Sequence, residues 1–178
     1  MFSEEAKLIE ECIKGSRKAQ KELYDKYNAL FFSLCLRYTH TREEAEDILI
    51  MGFMEIFESL PNYKQEGSFE GWMKKILIHK AIDYFRANKK YQVNVDIEEV
   101  ETEGSIINTV VQDMDAKYIL KQIQAMPDGY QQVFNLYAIE GYKHIEIAKM
   151  LNISESTSKS QYSKAKKWLQ QKLKDYKS

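Results

Sequence analysis

The sequence predicts an all-α chain: two small helical domains joined by an acidic linker, the carboxyl-terminal one a helix-turn-helix. Three observations predict it. Apolar residues recur at helical spacing along most of the chain, and few stretches alternate as strands do. Gly and Pro number only seven and two in 178 residues, so breaks between helices are few. The helical period fails over residues 93–115, where Gly104, Ser105 and Asn108 sit among acids. The expected domains are therefore residues 1–92 and 116–178, with 93–115 as linker. Ile106, Ile107, Val110 and Val111 argue that this linker is partly ordered.

In the amino-terminal domain, helices are expected near Ser3–Lys14, Arg17–Tyr38, Arg42–Ser59 and Ser68–Lys89. The third has a core stripe of Ala45, Leu49, Gly52, Phe53 and Ile56. Its other side carries Glu43, Asp47, Glu55 and Glu58, with Ile50, Met51 and Met54 among them. Apolar side chains inside an acidic rim make a docking surface unless another helix covers them. Pro61–Ser68 is a short polar loop able to hold one unstacked base.

The fourth helix interleaves aromatic with basic residues. Phe69, Trp72, Tyr84, Phe85 and Tyr91 alternate with Lys74, Lys75, Lys80, Arg86, Lys89 and Lys90. Stacking platforms plus cations suit single-stranded DNA. The alternative is an amphipathic core helix with snorkelling lysines, and Trp72 above all is expected in the core.

In the carboxyl-terminal domain, helices are expected near Lys117–Gln124, Gly129–Ile139, His144–Leu151 and Glu155–Asp175. Pro127, Asp128 and Gly129 mark one junction, and Gly141 the next. Ile145, Ala148 and Leu151 form the stripe of a short helix. Asn152 then tolerates a left-handed turn, and Ser154 is placed to N-cap the following helix. On that last helix Tyr162, Ala165, Leu169 and Leu173 gather on one side. Ser156, Ser160, Ser163, Lys164 and Lys167 gather opposite, with Thr157 and Lys159 at the margins. Short hydroxyls suit base edges and lysines suit phosphates. A helix–tight turn–helix of this kind puts its second helix in the DNA major groove.

Charge is distributed in blocks although the net charge is only −1. Residues 72–91 hold six Lys/Arg against one Asp, and residues 143–178 hold nine Lys against three acids. Between them, residues 92–116 hold seven acids and no Lys/Arg. Two basic modules separated by a strip that DNA repels are expected to face DNA separately. Packing the two halves on each other is one way the free chain would hide those faces.

Other classes find little footing. No apolar run approaches the roughly 18 residues that span a bilayer. The acidic start MFSEEAKLIEE is unlike a signal peptide, so a cytoplasmic location is expected, with Cys12 and Cys35 reduced. His40, His79 and His144 have no metal-type spacing to Cys or carboxylates, and no Gly-rich phosphate loop occurs. Neither catalysis, a metal nor a cofactor is expected.

Three landmarks, in order, resemble the extracytoplasmic-function (ECF) group of bacterial RNA polymerase sigma factors. Glu44-Ala45-Glu46-Asp47-Ile48 resembles the start of that family's core-binding helix. Gly67-Ser68-Phe69-Glu70-Gly71-Trp72, then Ala81-Ile82-Asp83-Tyr84-Phe85-Arg86, resembles its promoter-melting helix. Glu146-Ile147-Ala148 through Ser156-Thr157-Ser158-Lys159-Ser160 resembles its helix-turn-helix. The resemblance covers about residues 19–174 with the linker left free.

It implies a specificity subunit of RNA polymerase that selects promoters and opens the duplex. Glu43, Asp47, Ile50, Met51, Met54 and Glu55 would meet the clamp helices of the β′ subunit. Tyr63, Lys64, Gln65 and Ser68 would take a flipped base of the minus-ten element. His79, Lys80, Asp83, Arg86, Lys89 and Lys90 would help open the duplex and hold the non-template strand. Ser156, Thr157, Lys159, Ser160, Ser163, Lys164 and Lys167 would read the minus-thirty-five element, on a module that also rests on the β flap. An anti-sigma factor is a further partner the resemblance implies. Ile50-Met51 replaces a common Gln-Glu, His79 a common Asn, and Lys143 a common Ser/Thr cap. The competing reading is a conventional helix-turn-helix regulator with an amino-terminal sensing or dimerisation domain. It would not need the second basic, aromatic-rich block. An inert sigma-like decoy also fits the Ile50-Met51 departure.

Overall fold

The computed structural model describes residues 4–89 and 114–177. Every regular element among them is helical. Four helices form the amino-terminal module: α1 Glu4–Ile13, α2 Arg17–Tyr38, α3 Arg42–Ser59 and α4 Phe69–Lys89. A 3₁₀ turn, Leu60–Asn62, follows α3. The carboxyl-terminal module holds α5 Met114–Gln124, α6 Asp128–Phe134, a π-helical stretch Asn135–Ile139, α7 His144–Leu151 and α8 Glu155–Lys177. Residues 93–113 of the expected linker, with Lys90 and Tyr91, lie outside the described residues. Met114 and Asp115, expected to end the linker, belong instead to α5. That helix buries Leu120 and Ile123.

Local chemistry explains the helix starts. The Ser16 hydroxyl accepts from the Ala19 N–H to cap α2. Thr41 and Glu44 form a reciprocal capping box on α3, satisfying two otherwise orphaned N–H groups. α7 lacks a side-chain oxygen at Lys143, yet Glu146 reaches back to accept the Lys143 N–H at 2.7 Å. Half a capping box therefore survives the departure noted in the sequence.

Phe31, Ile48, Ile56, Met73 and Leu77 are fully buried where α2, α3 and α4 meet. α3 and α4 lie close because Gly52 has no side chain there. A Cβ at that position would sit 2.5 Å from Leu77 Cδ1. A second close approach joins α6 to α8, where a Cβ on Gly129 would meet Gln161 Oε1 at 2.0 Å. The main core runs on into the carboxyl-terminal module through Val133, Leu136 and Ile147. Ile123, Met126 and Ala165 form a smaller core under Trp168 and Leu169.

The helix expected over Gly129–Ile139 starts one residue earlier and widens at Asn135. There the Glu140 N–H bonds the Asn135 carbonyl, a five-residue step. Such π turns commonly mark functional positions.

The two modules touch. At the end of α2 the carbonyls of Arg37, Tyr38 and Thr39 accept side-chain amides from Asn135 (2.6 Å), Gln132 (3.2 Å) and Gln131 (3.2 Å). The last carbonyls of a helix have no partner within it, so the second module completes the first one's helix. Glu140, with its side chain 3 % exposed, pairs with Arg37 at 2.9 Å and Lys74 at 2.6 Å.

Candidate nucleic-acid interface

The carboxyl-terminal surface is a helix-turn-helix. Asn152 takes the left-handed conformation (φ 54°, ψ 50°) that ends α7. Ser154 Oγ accepts from the Thr157 N–H at 3.0 Å and so caps α8. Ser158 is buried and lies 2.9 Å from His144 Nδ1, tying the two helices together. Tyr137 stacks on His144 at 4.2 Å.

These contacts turn the opposite face outward. Ser156, Lys159, Ser160, Ser163, Lys164 and Lys167 are exposed. Thr157 is half-buried, its hydroxyl 2.7 Å from Ser154 Oγ, so it serves the cap first. Lys159 pairs with Glu155 at 2.6 Å, which holds the Glu155 carboxyl below its usual range. A phosphate competing for Lys159 meets only a surface pair, and such pairs are weak.

The second surface is the loop before α4 and α4 itself. Ser68 Oγ accepts from the Gly71 N–H at 2.9 Å and anchors the helix start. Gln65 (φ 57°) and Gly67 (φ 82°) take left-handed turns, throwing Lys64, Gln65 and Ser68 into solvent. Beneath them Tyr63, Phe69 and Trp72 form an aromatic cluster, with Tyr63–Trp72 centroids at 4.8 Å and Phe69–Trp72 at 5.7 Å. Phe69 is core at 3 % exposure, and Trp72 is half-buried rather than fully internal.

His79, Asp83 and Arg86 share one exposed face of α4. Lys80 is half-buried and bonds Glu55 on α3 at 3.1 Å. Lys89 closes α4.

The third surface is on α3. Ile50, Met51 and Met54 are 54 %, 39 % and 59 % exposed, so no helix among the described residues covers them. Glu43 and Asp47 are exposed beside them. Glu55 is drawn toward Lys80, whose hydrogen bond holds its carboxyl below the usual range.

Two features escaped the sequence. A cavity of about 490 Å³ opens between α1 and the loop, lined by Glu5, Tyr27, Tyr63, Gln65, Ser68 and Phe69. The Tyr27 hydroxyl donates to Glu5 Oε1 at 3.0 Å; burial first, then that bond, push its pKa up to about 12. Nothing in the local pattern of α1 signals this placement, which depends on tertiary packing. The other is which faces the contact between modules covers, the packing itself being expected. The contact leaves the α8 outer face and His79, Asp83 and Arg86 exposed, so packing the halves together does not hide those faces.

Burial pushes the Cys12 and Cys35 thiols up to about 11 and about 12, which keeps them protonated. Among the described residues no group of three or more His, Cys, Asp or Glu could hold a metal ion. No helix among them is long and apolar enough to cross a membrane.

Comparison with known proteins decides what these surfaces belong to. Residues 23–91 match the family model for sigma-70 region 2, and residues 116–169 match that for sigma-70 region 4. The chain is 29 % identical to the ECF RNA polymerase sigma factor SigW of Bacillus subtilis, covering 95 % of this chain and 96 % of the relative. It belongs to the ECF sigma factors. The ECF sigma-E factor of Haemophilus influenzae is 22 % identical over 93 % of each chain. In fold, the chain resembles the sigma factor RpoE of Bartonella quintana, solved with its anti-sigma factor NepR. That likeness has a TM-score of 0.53 and 15 % identity, covering 86 % of this chain and 96 % of that one.

As an ECF sigma factor, the chain directs RNA polymerase to promoters, and the conventional-regulator reading is not favoured. It binds core RNA polymerase and promoter DNA. Sigma factors as a class are generally not enzymes.

Proposed function

We propose that the three surfaces divide the work of initiation. The α8 face from Ser156 to Lys167 reads the minus-thirty-five element, with Ser156, Ser160 and Ser163 at base edges and Lys159, Lys164 and Lys167 at phosphates. The loop Tyr63–Ser68 takes one unstacked minus-ten base into the aromatic-lined cavity. His79, Lys80, Asp83 and Arg86, with Lys89 and Lys90 beyond them, engage the melting duplex and its non-template strand. On α3, Ile50, Met51 and Met54 supply an apolar contact to the β′ clamp helices, ringed by Glu43, Asp47 and Glu55. The carboxyl-terminal module also rests on the β flap.

The observation that carries this reading is the pairing of an outward Ser/Lys face on a capped helix-turn-helix with uncovered apolar residues on α3. Residues 1–92 and 114–178 are the two working domains, and 93–113 threads acidic chain between them toward the RNA exit path. The protein acts in the cytoplasm without inserting in the membrane. Because the Bartonella quintana relative was solved with an anti-sigma factor, a partner of that kind is a candidate regulator here. A Lys159→Ala, Ser160→Ala double variant tests the division. It should lose upstream-element recognition while keeping polymerase binding; equal loss of both would overturn the assignment.

A further inference from the structure

We propose that residues 37–40 and the facing edge from Gln124 to Glu140 form a separable clasp between the modules, latched by protonated His40. The geometry of the imidazole carries it. Nδ1 lies 2.6 Å from the Gln124 backbone carbonyl oxygen, and Nε2 lies 2.5 Å from Asp128 Oδ1. Both neighbours are acceptors. A neutral imidazole has one N–H and can satisfy only one of them, leaving two lone pairs opposed at the other. The imidazolium has two donors and satisfies both.

The surroundings agree with that reading. His40 follows the carboxyl end of α2, where the helix dipole favours a cation. Asp128 opens α6, where a carboxylate is favoured. Glu44 on α3 accepts the His40 backbone N–H at 2.9 Å and adds a second negative charge. The remaining charged groups along the clasp, Arg37 and Lys74, are paired with Glu140. The Asp128 hydrogen bond raises the His40 pKa above its usual value, and burial of the ring opposes it without prevailing.

Beside the shared core at Val133, Leu136 and Ile147, the clasp itself is polar, which lowers the cost of parting it. Gln131, Gln132 and Asn135 are at most 1 % exposed, yet each uses only its amide N–H₂ across the seam. Their side-chain amide oxygens, and the side-chain amide oxygen of Gln124, find no partner among the described residues. Uncompensated acceptors make such a seam weaker than a matched apolar core.

Parting also follows from the reading under Proposed function, on which this one step rests. The two promoter elements are about 25 base pairs apart, on the order of 85 Å at about 3.4 Å per pair. A compact chain of this length is only on the order of 40 Å across. The 24 residues between Lys89 and Met114 reach at most about 80 Å when extended. Modules held by the clasp cannot occupy both elements at once.

The sign of the pH effect is fixed. The closed state holds His40 with a raised pKa, and in the parted state it returns to about 6.5. Closure is therefore strongest at low pH and is lost as pH rises through the closed-state value. Between those two values each pH unit shifts the closed-to-open ratio by up to about tenfold.

Small-angle scattering on the full-length protein, without DNA or polymerase, tests this from roughly pH 5.5 to 8.5, where histidine titrates. Proton NMR of the histidine ring signals would run in parallel. The wild type should expand as pH rises, with a midpoint matching the ring signal that His40→Gln removes. His40→Gln should show no such transition. In Asp128→Asn the new amide can donate to a neutral ring, so the midpoint should move to lower pH. Constant dimensions in the wild type, or the same transition in His40→Gln, would overturn the proposal. Failure of the promoter reading would leave this result untouched, because neither DNA nor polymerase is in the sample.

Discussion

Lys80 on α4 bonds Glu55 on α3 at 3.1 Å, tying the helix proposed to hold melted DNA to the helix proposed to hold polymerase. The pair is largely solvated, so breaking it should leave stability nearly unchanged. Lys80→Met and Glu55→Gln break the same pair, but only the first removes a cation that DNA can use. Fluorescence anisotropy with a single-stranded minus-ten oligonucleotide, on holoenzyme, should show weaker binding for Lys80→Met alone. Equal losses would mean the pair acts by holding α3 to α4. The Glu55 pKa is lowered, so the pair persists at neutral pH and is lost as pH falls through that lowered value.

The exposed α3 residues give a sharper contrast. Met54 and Ile50 are more than half exposed, so Met54→Asp should change folding stability by no more than about 0.5 kcal/mol. Its affinity for core polymerase should fall at least about tenfold, as loss of a contact residue near 1.4 kcal/mol implies. Denaturant titration and a pull-down against purified core enzyme measure the two separately. Unchanged affinity would move the docking surface elsewhere.

Gly52→Ala puts a methyl group 2.5 Å from Leu77 Cδ1 in a packed seam. Overpacking of this kind costs about 1–3 kcal/mol. A thermal melt should show the loss, and a smaller partner at position 77, as in Leu77→Val with Gly52→Ala, should recover part of it.

Glu140→Gln removes the charge that Arg37 and Lys74 share. Breaking a buried pair costs about 3–5 kcal/mol, but Lys74 is 39 % exposed and recovers hydration. We expect about 1–3 kcal/mol against the contact between modules. The free protein should then elute earlier on size exclusion at pH values where the wild type stays closed.

Much of this was legible in the sequence because the deciding features are local. The αL turn at Asn152, the Ser154 cap and the outward Ser/Lys face of α8 all follow from spacing within some 30 residues. The same holds for the core stripe of α3 and the aromatic content of α4. The end of the linker was misjudged because Met114 and Asp115 continue a helix whose apolar residues lie farther along. The π turn at Asn135 and the polar seam were illegible for a different reason. Gln131, Gln132 and Asn135 read as ordinary helix surface until their amides meet the α2 carbonyls, roughly ninety residues away in the chain. Likewise, Glu5 and Tyr27 become a cavity wall only when α1 folds against the loop.

Core polymerase binding, followed by transcription from a pooled promoter library with the purified full-length protein, tests the central claim most directly. Stable association with sequence-selective initiation is the predicted result. Association without initiation would mark a sigma-like decoy, and no association with duplex DNA bound by the protein alone would contradict the account.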